Sequence, residues 1–289
     1  MLRSVKDLDD YVVGATDGII GHVKDFYFDD KAWVIRYLVV NAGTWLSSRK
    51  VLISPISIAR PDWTEKILPV RITKEQVKNS PNIDTEKPVL RQHEAQLHEH
   101  YGYPFYWDGA GPWGGEPWGG GVYASRLVPA YAIFGSTPHA EPSEADKAYA
   151  RAEGVRHQDD DPHLRSCKTV MRYHVHASDG DIGHVYGLLV DDETWAIRYF
   201  VVATSHWWAG HHVLITPKWI KDISWSDSAV SVNLTQQAVK DAPLYDLDAQ
   251  LTSERELGIY DHYEHLGYWV TEVKRLRDVL HLPLKGSHI

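Results

Sequence analysis

Between residues 33 and 40 the chain alternates so that Trp33, Ile35, Tyr37 and Val39 fall on one face and Arg36, Leu38 and Val40 on the other. Both faces are largely apolar, which predicts a strand central in its sheet. Upstream, across residues 20–28, apolar Val23 is followed by Phe26 and then Phe28. A regular strand keeps a face at every second residue, so this three-residue step predicts a β-bulge near Lys24-Asp25. Ala15-Thr16-Asp17-Gly18 and Asp29-Asp30-Lys31 read as turns, with Asp capping and Gly tolerating positive φ. Residues 2–11 read as a lead-in, and Val12-Val13 open the first strand. Residues 51–54, 57–60 and 66–72 follow as short strands. Thr73 and Gln76 have the spacing of a capping box, predicting a short helix that stops before Pro81, and residues 87–101 predict a second helix.

The whole pattern returns 162 residues later. Residues 17–40, DGIIGHVKDFYFDDKAWVIRYLVV, and 179–202, DGDIGHVYGLLVDDETWAIRYFVV, agree at 14 of 24 positions. The bulge step recurs near Tyr186-Gly187, the helix cap at Thr235, the stop at Pro243 and the second helix at 248–263. Glu94 meets Glu256, His100 meets His262, Tyr101 meets Tyr263, and Tyr106-Trp107 meets Tyr268-Trp269. Many short strands with few helical turns predict a mainly β chain: two small β-barrels in tandem, each followed by short helices, with a Gly/Trp-rich loop and a charged linker between them. The divisions are residues 1–107, a loop and linker over 108–165, residues 166–270, and a tail over 271–289.

Composition narrows the function classes. Tyr and Trp (16 and 12) far outnumber Phe (5), and rings with a polar tip suit half-exposed faces and interfaces. The net charge of −9 argues against a general phosphate-binding surface, so no nucleic-acid partner is expected. The lone Cys167 permits no intrachain disulfide. The start lacks a basic, then apolar, signal and no stretch approaches a membrane span, so the expected location is cytoplasmic, with the inner face of the membrane as the alternative.

Four groups of residues carry candidate chemistry. The loop Gly109–Gly114 matches G-x-G-x-x-G but lacks the strand before and the helix after that dinucleotide binding needs. His93, His98 and His100, with His262 and His265 in the second half, are spaced so that three imidazoles do not share a helix face, and His206, His211 and His212 meet Thr44, Arg49 and Lys50 in the first half, so no metal or other cofactor is assigned. Asp17 and His22, repeated as Asp179 and His184 beside Gly18, Gly21, Gly180 and Gly183, could form a base and its orienting partner, but no Ser or Cys nucleophile coincides with them in both halves. No catalytic residue is assigned. Trp33, Arg36 and Tyr37, with Trp195, Arg198 and Tyr199, are the residue types that dominate interface energy, and are read as an interaction surface that also allows the two barrels to pack on each other.

The run D-G-x-x-I-G-H-V, the acidic turn, W-x-I-R-Y-x-V-V and V-L-I-S/T-P resembles the PRC-barrel domain, over residues 5–81 and again over 167–243. That domain is known from the cytoplasmic part of the reaction-centre H subunit and the C-terminal part of the ribosome maturation factor RimM. The resemblance implies a small barrel used for protein contacts, with no shared catalytic residues. The expected function is therefore a non-catalytic interaction or scaffold module whose partner is another protein or a second copy of the chain. One alternative, implied by the resemblance to the reaction-centre H subunit, is a peripheral accessory of a photosynthetic or respiratory electron-transfer complex; another is a metal-dependent enzyme using the His clusters.

Overall fold

The computed structural model describes residues 1–82, 89, 91–103, 163–204, 211–247 and 249–263. In the first half the strands are β1 (Leu2–Ser4), β2 (Val12–Ala15), β3 (Gly18–Asp29), β4 (Val34–Asn41), β5 (Lys50–Ile53) and β6 (Ile67–Pro69), followed by helices α1 (Lys74–Lys78) and α2 (Arg91–Tyr101). The second half runs β7 (Leu164–Ser166), α3 (Cys167–Val170), β8 (His174–Ala177), β9 (Gly180–Asp191), β10 (Ile197–Thr204), β11 (His212–Ile215), β12 (Ile220–Ser224), β13 (Ala229–Val232), α4 (Gln236–Lys240) and α5 (Ser253–His262). Two sheets result, ordered β5-β4-β3-β2-β6 and β11-β10-β9-β8-β13-β12. As the two-faced apolar pattern requires, β4 and β10 each lie between two neighbours.

The bulge lies where the apolar step places it. Val23 pairs with Val40 and Asp25 with Val39, leaving Lys24 extra; Val185 pairs with Val202 and Gly187 with Val201, leaving Tyr186 extra. A second bulge, not legible in the pattern, leaves Arg36 and Arg198 as the additional residues of β4 and β10. The capping box forms: Thr73 Oγ1 accepts from Gln76 N at 3.1 Å, and Gln76 Oε1 accepts from Thr73 N at 2.8 Å.

Three expectations change. Trp33 does not begin a strand: it and Trp195 adopt left-handed backbone, φ 56° and 60°, just ahead of β4 and β10. Residues 57–60 make no strand, only a bridge from Ile58 to Val70, although β12 forms at the related place. Pro61 stands where the second half has Ile223, and a proline cannot donate to a ladder. Residues 2–4 are not a loose lead-in. They form β1, which pairs with β9 of the second half, and β7 reciprocally pairs with β3 of the first. The two strands carry the same sequence, Leu-Arg-Ser, at the 162-residue offset, and β7 straddles the expected division at residue 165. One apolar core runs from Val5 to Tyr263 through both halves.

Candidate functional site at the seam between the halves

The seam is built around an approximate twofold axis. Val34 bridges Ala196, Ile35 N donates to Trp195 O at 2.9 Å, and Ile197 N donates to Trp33 O at 2.7 Å. The ring of Trp195 stacks on Phe26, with centroids 6.2 Å apart, and Trp33 meets the edge of Phe200 at 5.4 Å. Each tryptophan thus reaches into the other half. The exchanged strands bring their own ion pairs: Arg3 Nε to Asp192 at 2.9 Å and Arg165 Nε to Asp30 at 2.8 Å. Those guanidiniums also lie over Trp63 and Trp225, 3.7 and 4.3 Å from the ring centres. Planar cations suit both contacts at once.

The acidic turns hold the tryptophans in their unusual conformation. Asp29 Oδ1 accepts from Lys31 N and Ala32 N, at 2.9 and 3.0 Å, while Asp29 O takes Trp33 N at 2.8 Å. Asp191 does the same with Glu193 N, Thr194 N and Trp195 N. Arg36 approaches Asp29 Oδ2 at 3.4 Å, and Arg198 approaches Asp191 Oδ2 at 3.7 Å. Burial alone would raise both carboxyls; the guanidiniums and turn N–H groups outweigh it and hold both below their ordinary value. At Asp30 and Asp25 burial wins, and both are raised.

The six residues read as an interaction surface are therefore interior. Trp33 is 9 % exposed, and Arg36, Tyr37, Trp195, Arg198 and Tyr199 are less so. They are not available to a second molecule, because the turn, the bulge and the neighbouring half consume them. Tyr37 Oη donates to Glu94 at 3.1 Å and lies 2.9 Å from His98 Nε2; His163 Nε2 is 3.0 Å from the same carboxylate. Tyr199 repeats the bond to Glu256 at 2.8 Å. Sequence reasoning noted that Glu94 and Glu256 coincide but missed their tyrosine partners. The signal was available: both Tyr–Glu pairs are separated by 57 residues.

The remaining sequence-selected residues serve the turns. Asp17 and Asp179 accept from Lys74 N and Gln236 N, at 2.8 and 2.7 Å, and so tie each turn to a short helix. Those bonds give both carboxylates a structural task. His22 and His184 are exposed on β3 and β9. Gly18 and Gly180 have φ of 139° and 152°, and Gly183 has 156°. A Cβ on Gly21 would lie 1.8 Å from Asn41 O, so the strand approach requires glycine there. His98 is buried against Tyr37, and His100 Nε2 lies 2.7 Å from Gln76 O, as His262 does from Ala238 O. No three His, Cys, Asp or Glu residues gather as a metal would need, among the described residues. Cys167 is buried, which pushes its thiol up and away from nucleophilic use. The Gly109–Gly114 loop, His206, His265 and the Tyr-Trp pairs at 106–107 and 268–269 lie outside the described residues.

A PRC-barrel domain is found at residues 8–77. An uncharacterized protein of Deinococcus radiodurans is 32 % identical over 98 residues, covering 30 % of this chain and 35 % of that protein. The chain thus spans about a third of the length of that relative. The PRC-barrel domain supports a protein-interaction or scaffold module and assigns no activity. Among the described residues no helix is long and apolar enough to cross a membrane.

Proposed function

We propose that this chain is a non-catalytic protein-binding scaffold in which two PRC-barrel-like units are fused into one body. The observation that carries the reading is the reciprocal exchange of β1 and β7, each completing the sheet of the other half. The PRC-barrel match at residues 8–77 supports the first unit, and the 162-residue offset, with its matched turns, bulges and caps, supports a second. Such a body presents outer faces in a fixed relation, as an adaptor needs. The proposed location is the cytoplasm, and the proposed partner is another protein.

The test is affinity capture of the tagged full chain from its native host, with soluble and membrane fractions kept apart, followed by reconstitution from purified components. The reading predicts a stoichiometric protein partner that rebinds in the purified system, in either fraction. Failure of every captured protein to rebind, or turnover of a substrate by the purified chain, would overturn it.

A further inference from the structure

A cleft of about 850 Å³ opens at the seam, walled by β3, β4 and β5 on one side and by β7, α3 and β8 on the other. Four cationic side chains from separate places converge on it: Lys24 from the β3 bulge, Lys50 from β5, Lys168 from α3 and Arg172 just beyond. Tyr27 and Tyr173 form buried parts of the wall, and Asn41, Thr169 and Ser228 add neutral hydrogen-bonding groups. Asp25 is the carboxylate among the described lining residues, and its oxygens are engaged by Ser166 Oγ, Lys168 N and Phe26 N. On the flanks Asp10 holds Lys24, and Asp9 lies 2.9 Å from Lys168. Arg172 makes no ion pair among the described residues, and His174 stands exposed beside it.

The approximate twofold makes this cleft informative. At the acidic turns, the bulge arginines and the Tyr–Glu pairs the two halves keep the same residues for the same structural tasks. Here they diverge. The bulge residue Lys24 becomes Tyr186, whose ring lies 3.2 Å below Lys6 Nζ and packs on His212 at 4.5 Å. His212 stands where the first half has Lys50, and Asp10 where the second has Arg172. One side of the seam is thus occupied by an aromatic stack, while the other leaves a cleft lined by four basic residues, Lys24 and Lys168 among them held by Asp10 and Asp9 at its flanks. The shared fold does not demand the difference, since the same bulge accommodates either residue.

We propose that this cleft binds one small multivalent anion of the phosphate-ester class per chain. Cations converging from four places on a concave space suit a compact oxyanion with several acceptors, and hydroxyl and amide groups between them suit the remaining phosphate oxygens. The overall charge of −9 leaves this patch as a local exception, favouring a small ligand over an extended nucleic-acid backbone. The assignment is independent of the scaffold reading.

Isothermal titration calorimetry of the full chain with inorganic pyrophosphate at low ionic strength tests it. The expected result is one site per chain, weakened about tenfold or more by Arg172→Ala and separately by Lys50→Ala, and further weakened by added salt. Lys6→Ala, on the occupied side of the seam, leaves the affinity unchanged. Circular dichroism checks that each variant is folded. Absence of binding at millimolar pyrophosphate, equal affinity in the folded Arg172→Ala and Lys50→Ala variants, or loss of binding in Lys6→Ala would overturn the proposal. So would tighter binding of a single-stranded oligonucleotide, which would mark an extended polyanion site instead.

Discussion

Replacing Trp195 separates what its side chain contributes from what its backbone costs. The residue is 3 % exposed, stacks on Phe26 of the other half, and sits at φ 60°. Truncating a buried tryptophan to alanine typically costs about 3–5 kcal/mol, the transfer and cavity terms together. Alanine keeps the left-handed backbone, a conformation that costs an L-residue about 1–2 kcal/mol. Glycine removes the same ring without that penalty, although it adds entropy to the unfolded chain. Trp195→Ala is therefore expected to lose about 3–5 kcal/mol, and Trp195→Gly to recover up to about 1 kcal/mol of it. Equilibrium urea denaturation of both variants beside the wild type gives the two differences. A loss below about 1 kcal/mol for Trp195→Ala, or a glycine variant less stable than the alanine one, would refute the reasoning that a buried ring holds a strained turn at the seam.

Three further outcomes follow from the same geometry. Asp29 and Asp191 are lowered in the folded state, so the stability they contribute is present above the unfolded carboxylate value of about 3.9 and is lost as pH falls through the folded values. Asp29→Asn should therefore flatten the acid limb of a stability–pH profile, and a limb parallel to that of the wild type would contradict the assignment. Tyr37→Phe, which takes a hydroxyl from the buried Glu94, should cost about 1–3 kcal/mol in urea denaturation, and an unchanged midpoint would count against that bond. Gly21→Ala drives a Cβ into Asn41 O, so a loss at or beyond the usual overpacking cost of about 1–3 kcal/mol is expected; a wild-type melting temperature would show that the strand approach is looser than described.

The parts of the fold that depend on local chemistry were legible in the sequence. The three-residue apolar step marks the bulge at Lys24 because alternation counts residues, and the Thr73-Gln76 spacing marks a cap because the bonds close locally. The left-handed tryptophans were not legible, since nothing in the propensity of tryptophan points to positive φ; the turn bonds of Asp29 and Asp191 impose it. The exchanged strands were also missed. Three residues carry no period, and Leu2–Ser4 pairs only with a segment nearly two hundred positions away. Their identity with Leu164–Ser166 was the available sign. Trp33, Arg36 and Tyr37 stand out in the sequence as interface-type residues, and the structure places them inside the molecule. The cationic cleft escaped notice because its side chains are scattered from Lys24 to Arg172 and meet only when the two halves close on each other.

The interlocking of the halves is tested most directly by urea unfolding of the wild type and Trp195→Ala, followed by tryptophan fluorescence and far-ultraviolet circular dichroism. Because each sheet is completed by a strand of the other half, the two probes should report a single coincident transition, and the substitution in the second half should move all of it to lower urea. A split profile, with part of the signal left at the wild-type midpoint, would mean that the halves unfold independently and would contradict the interlocked body.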